Sequence, residues 1–204
     1  MPRIDDYIAS RNLAVEDLAR ESFSDLRDRT GFSQSSANTF LVPFLDRVYH
    51  VRFPDFFFED RDAPEKEVPI QEQVLILHYM AGSKPAPPEG HWISYREIPG
   101  ASFYYSAFLK RAVEPLKNVF GHNTGGLKKA AGRLGAVEIP EGDNALEYFP
   151  FPKVPMRLIL WAGDDEFGPE ANIVFDRNIG SILSPEDVAW MAGMVVYRLI
   201  ALSR

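Results

Sequence analysis

Between Ser83 and Gly90 the chain places prolines at 85, 87 and 88. Their fixed φ angles and missing backbone donors make this an extended spacer that neither helix nor sheet accepts. Regular structure must therefore be assembled from what precedes and follows it, and residues 83–90 form the natural internal seam. Of the 204 residues 46% are hydrophobic, enough to bury a sizeable core. The simplest reading is one domain over 1–204 containing that seam.

Ahead of the seam, Val15, Leu18, Ala19, Phe23 and Leu26 are spaced as the buried stripe of one helix running from about Leu13 to Arg29, with Gly31 as its stop. From Thr39 to Glu59 the residues turn to Phe, Leu, Val and Tyr, which predicts a bent strand hairpin. Pro43 and Pro54 argue for edge strands there. The block Pro69 to Met80 is apolar almost all round, and its length and its Gln71-Glu72-Gln73 opening favour a central helix.

Beyond the seam, His91 to Glu97 alternates as a strand. Phe103 to Phe120 has helical spacing, with Pro115 expected to kink or restart it. Gly125 and Gly126 read as a link to a short helix, Leu127 to Leu134, closed by Gly135. Leu146–Phe149, Met156–Trp161 and Ala171–Phe175 predict a three-strand antiparallel meander. A last helix opens on Ser184 as N-cap, Pro185 at its first position and Asp187 three residues past the cap, with Val188, Met191, Val195, Leu199 and Leu202 as its buried stripe. The fold class is thus α+β: an antiparallel sheet, made of the N-terminal hairpin and the C-terminal meander, packed with several helices.

Composition excludes several chemistries. No cysteine means no disulfide, no thiolate metal site, no iron–sulfur cluster held by this chain and no thiol nucleophile. The longest apolar run, Val188 to Tyr197, is too short to span a bilayer and the first residues do not resemble an export leader. The expectation is a cytoplasmic protein. Twenty-two Lys and Arg against 29 Asp and Glu leave a net charge of −7, the wrong sign for a nucleic-acid surface.

Two constellations could carry chemistry. In the acidic turn Gly163-Asp164-Asp165-Glu166-Phe167, the carboxylates Asp164, Asp165 and Glu166, with Asp176 farther along, are hard oxygen ligands that could meet a divalent cation. Adjacent acids also repel, and a strand end is where they are most easily solvated, so the solvated reading is favoured. Here an inward Trp161 and Phe175 flanking an outward acidic turn would fix the strand register. The second is a cluster of aromatics near the seam, Trp92, Tyr95, Phe103, Tyr104 and Tyr105, which could line an apolar pocket beside His91. His78, in the most apolar helix, needs a hydrogen-bond partner and is the first choice as axial ligand to a planar metal cofactor such as a tetrapyrrole.

Three other patterns fail on their chemistry. The turn lacks the second glycine of a diguanylate cyclase signature, having Asp164 in its place. Gly121 to Lys128 is no phosphate loop, since Leu127 splits the Gly–Lys pair and no hydroxyl follows. No Gly-x-Ser-x-Gly elbow supports a serine hydrolase. A hydrolytic carboxylate pair drawn from Glu97, Asp143, Asp165 and Glu166 is neither supported nor excluded, since sequence does not give their mutual distances.

The run Leu160 to Ala171, continuing through Phe175-Asp176 to Leu183-Ser184-Pro185-Glu186-Asp187, resembles a prokaryotic family known as domain of unknown function 3786. Leu75 to Met80, His91 to Gly100 and Gly142-Asp143 extend the resemblance over most of the chain from Phe40 onward. The resemblance implies an anaerobic bacterial or archaeal setting. Some members are joined to a four-cysteine iron–sulfur domain like that of corrinoid proteins, which implies a role near redox, one-carbon or tetrapyrrole metabolism. This chain has no cysteine, so any such cluster would belong to a partner protein. Three functional readings follow: an accessory protein binding a small molecule or tetrapyrrole; a divalent-metal enzyme using Asp164, Asp165, Glu166 and Asp176; or a structural module that dimerises through the meander's edge.

Overall fold

In the computed structural model, which describes residues 3–204, the stripe expected to give one helix is divided between two, α1 (Ile4–Leu18) and α2 (Phe23–Thr30). The break is chemical. Ser22 is extended and its hydroxyl accepts the Asp25 N–H at 3.1 Å, capping a new N-terminus in the middle of the stripe. Gly31 then stops α2 in the left-handed region, at φ 74°.

The chain forms two compact units. One takes the described residues up to Pro87 together with 151–153 and 181–183, and the other takes the remainder. In the first, β1 (Ser33–Ser36), β2 (Thr39–Phe44), β3 (Arg47–Arg52) and β4 (Phe57–Asp60) form an antiparallel sheet in that order, two strands more than the expected hairpin. Contrary to expectation, Pro43 lies on an interior strand. The register gives the reason: β1 pairs only with residues 39–41, so at Pro43 the side of β2 toward β1 is already open, and a nitrogen without hydrogen there costs no ladder bond.

Helix α3 (Ile70–Gly82) fills the middle of this unit, buried on nearly every side from Glu72 to Leu77 and again at Tyr79 and Met80. That explains its missing periodicity. Tyr79 stacks on Phe151 at 4.3 Å and donates its hydroxyl to the Thr30 carbonyl, while Phe151 stacks on Phe44 at 5.2 Å. A Cβ added to Gly82 would lie 1.8 Å from the Ile182 carbonyl oxygen, so only glycine admits this approach.

The second unit begins with β5 (Trp92–Ser94). The strand expected over 91–97 stops there because the Glu97 carboxylate accepts both the N–H and the hydroxyl of Ser94, closing a 3₁₀ turn over 95–97. Next come α4 (Tyr105–Phe108) and α5 (Glu114–Phe120), joined without a break by a π-turn at Leu109–Val113 in which the Glu114 N–H bonds the Leu109 carbonyl. Pro115 is the cause: in an α-helix its ring would press on the Arg111 carbonyl and could not bond it. Gly193 packs against that same carbonyl, where a Cβ would come within 3.2 Å.

Helix α6 (Thr124–Leu134) starts earlier than expected, because Asn123 caps it by accepting the Gly126 N–H; Gly125 and Gly126 lie in its first turn and do not link two helices. Gly135 ends it at φ 76°. Strands β6 (Val137–Ile139), β7 (Asn144–Phe151), β8 (Val154–Trp161) and β9 (Glu170–Asp176) join β5 in a five-stranded sheet of order β5-β9-β8-β7-β6. The expected meander is its centre. The chain closes with α7 (Pro185–Leu202), whose cap is as predicted, the Ser184 hydroxyl accepting the Asp187 N–H, and Val188, Met191, Val195 and Leu199 are buried along it.

Candidate ligand-binding cleft

The acidic turn resolves into separate roles. Asp164 Oδ1 accepts the N–H groups of Glu166 and Phe167, and those bonds hold its carboxyl below the usual aspartate range. Asp165 and Glu166 are exposed. The turn is anchored by its glycine: the Gly163 N–H donates to the Gly121 carbonyl, a Cβ on Gly163 would meet His122 at 2.6 Å, and one on Gly121 would meet Pro169 at 2.3 Å.

Asp176 lies at the other end of β9, roughly 20 Å along the strand from Glu170 at ordinary strand rise. It is fully buried and accepts the backbone N–H groups of Glu89, Gly90 and Asn178, which fixes the end of the proline segment to the sheet. Among the described residues no group of three or more His, Asp or Glu side chains is arranged to hold a metal ion. Phe175 is buried as expected, but Trp161 is 42% exposed. Trp161, the last residue of β8, points to the face opposite Leu158 and Leu160 and lies over Gly142.

Of the aromatics near the seam, Tyr95 and Tyr105 pack against each other and against Phe108. Tyr95 stacks on Phe108 at 4.2 Å, and its buried hydroxyl, whose pKa burial pushes up, donates to the Pro185 carbonyl. Arg96 lies over Tyr105 and Arg157 over Trp92, each at 4.0 Å. Tyr104 is hydrogen-bonded to Glu186, which raises the phenol pKa. His91 is exposed and its carbonyl accepts the Arg177 N–H, while Phe103 is almost fully exposed. His78, on α3 of the first unit, lies within hydrogen-bonding distance of Ser10 Oγ at 3.0 Å, which supplies the partner its apolar helix requires.

A site that sequence reading missed lies in the first unit. Residues of α1, β4, the 64–68 loop and the start of α3 line an open surface cleft of about 390 Å³. Its lining is mixed: Phe57, Phe58, Pro64, Val68 and Ile70 on the apolar side, Arg11 and Gln73 on the polar side, and the exposed Glu65, Lys66 and Glu67 at its mouth. Arg11 is half-buried. Its Nε donates to Gln73 Oε1 at 2.7 Å and its Nη2 to the Phe56 carbonyl at 2.8 Å, and Gln73 is itself held by the Val68 carbonyl. Burial lowers the Arg11 pKa, with Asp55 opposing. Among the described residues Arg11 has no carboxylate within ion-pair distance and its Nη1 has no hydrogen-bond acceptor, while Asp55 is paired with Arg52. In sequence Arg11 stands four and seven residues ahead of Val15 and Leu18, in line with the expected stripe, but nothing places 64–68 beside it.

A family model described as domain of unknown function 3786 matches residues 22–198. The chain belongs to this family. No curated protein and no solved structure matches it. Within the DUF3786 span, the run around Gly163 and the Gly142-Asp143 pair serve the fold: Gly142 takes φ 55° beneath Trp161, and Asp143 accepts the Ala162 N–H to close the end of β8. Arg11 precedes the matched span, so one wall of the cleft is supplied by a helix outside it. Among the described residues no helix is long and apolar enough to cross a membrane.

Proposed function

We propose that this protein is a binding or accessory protein for a small organic molecule, which it holds in the cleft of the first unit. The observation that carries the reading is a half-buried arginine with spare donor capacity lining a cleft of about 390 Å³ whose wall is shared between apolar residues and polar or charged ones. Polar groups fixed by the fold, such as Arg11 and Gln73 here, are what orients a ligand beside the apolar part of a site. A volume of about 390 Å³ lies toward the lower end of the roughly 300–1,000 Å³ of small-molecule sites, which favours a compact ligand.

Ligand-observed NMR with a fragment library tests it. The wild-type chain should return binders that are lost in Ile70→Trp, which fills the cleft from a half-exposed position. Binders unaffected by that substitution, or none at all, would remove the reading. Titration with haem and with a cobalamin, followed by visible absorption, tests the tetrapyrrole alternative, and the cleft reading expects no saturable change.

A further inference from the structure

From the donor geometry and charge of the same cleft we infer that its ligand is a monocarboxylate with an apolar body, the carboxylate seated on Arg11. This rests on the cleft being a ligand site. The guanidinium is already oriented: Gln73 and the Phe56 carbonyl fix two of its nitrogens, and Gln73 is fixed in turn by Val68. Nη1 keeps both N–H groups for a guest. A carboxylate completes a charge-assisted pair there, whereas a neutral guest leaves a partly desolvated cation without its counter-charge.

The rest of the lining sets the class of anion. Phe57, Phe58, Pro64, Val68 and Ile70 make up the apolar half of the lining, which favours a guest with a hydrocarbon or aromatic part beside its carboxylate. At the mouth Lys66 stands between Glu65 and Glu67, giving that rim one net negative charge against the single positive charge of Arg11 inside. One negative charge on the guest is balanced by Arg11, and a second would meet the rim's repulsion. Phosphate, a dianion near neutral pH with no apolar part, is disfavoured twice.

Isothermal titration with hexanoate and phenylacetate, their primary amides and inorganic phosphate tests this on the full chain. The acids should bind at least about tenfold more tightly than their amides, and phosphate should not bind measurably. Arg11→Gln should erase the preference for acid over amide. Because Arg11 also ties α1 to α3, Arg11→Lys and the exposed double variant Glu65→Gln/Glu67→Gln are measured beside it. The double variant should leave the melting temperature unchanged, tighten acid binding by about two- to fivefold at low salt and lose that gain at high salt. If amides bind as well as acids in a manner lost on Ile70→Trp, the cleft stands and the carboxylate assignment falls. If no probe binds wild type, both fall.

Discussion

Replacing Gly82 by alanine sets two effects of known sign against each other. The helix-propensity gain is at most about 1 kcal/mol, and less at the last position of α3. Against it stands the Ile182 carbonyl oxygen, 1.8 Å from the new methyl, where ordinary contact begins at 3.4 Å. About 1.6 Å of separation has to open between two backbone segments, and no flexible side chain is there to yield. Overpacking costs typically about 1–3 kcal/mol and more when backbone must move, so the net loss should be about 2 kcal/mol or greater. For a chain of this size that lowers the melting temperature by roughly 4–8 °C. Gly132 is the control, since a Cβ there meets nothing within 4 Å and lies inside α6. Gly132→Ala should stabilise by about 0.5–1 kcal/mol. Urea unfolding followed by circular dichroism, with m-values checked for constancy, measures both. A Gly82→Ala protein as stable as wild type, or a destabilised Gly132→Ala, would refute the packing reasoning.

Other substitutions probe the remaining contacts. Asp176→Ala removes the acceptor of three backbone N–H groups and should cost about 2–5 kcal/mol, with hydrogen exchange at Glu89 and Gly90 accelerated more than in the core of β8. Tyr79→Phe, which leaves the Thr30 carbonyl without its hydroxyl donor, should cost about 1 kcal/mol, and unchanged unfolding would show that water replaces it. For Asp60, desolvation raises the carboxyl pKa, but hydrogen bonding to Arg47 and to the Asp62 N–H outweighs it and the net pKa lies below 3.8. A depressed carboxyl pKa stabilises the fold above its unfolded value and loses that contribution as pH falls through the folded one. Melting temperature should therefore drop as pH falls below about 4, and the drop should be smaller in Asp60→Asn.

The elements easiest to read from sequence were those whose ends are set by local chemistry. Ser184, Pro185 and Asp187 specify the start of α7 within four residues, and Gly31 and Gly135 end their helices because only the left-handed region closes them. The central meander follows from alternation alone. What escaped was decided by side chains turning back on the backbone or by distant pairing. Ser22 splits one apolar stripe into two helices, and Glu97 ends β5 by bonding Ser94. The interior place of Pro43 depends on how far β1 runs, a property of another strand. The roles of Gly121 and Asp176 depend on partners tens of residues away. The Arg11 cleft draws on four separate segments, so no local pattern announces it.

The π-turn before Pro115 also settles the phase of its helix. Phe108, Ala112, Leu116 and Phe120, the buried residues of this segment, recur every fourth position. In an unbroken α-helix each such step advances about 40°, so the row would wind about 120° around the axis between its first and last members. One surplus residue absorbed in the turn takes back about 100° of that winding and returns the four side chains to nearly one meridian. The proline thus acts as a vernier. Were the full-length segment to run as an unbroken α-helix without the π-turn, Leu116 and Phe120 would swing about 100° out of line with Phe108.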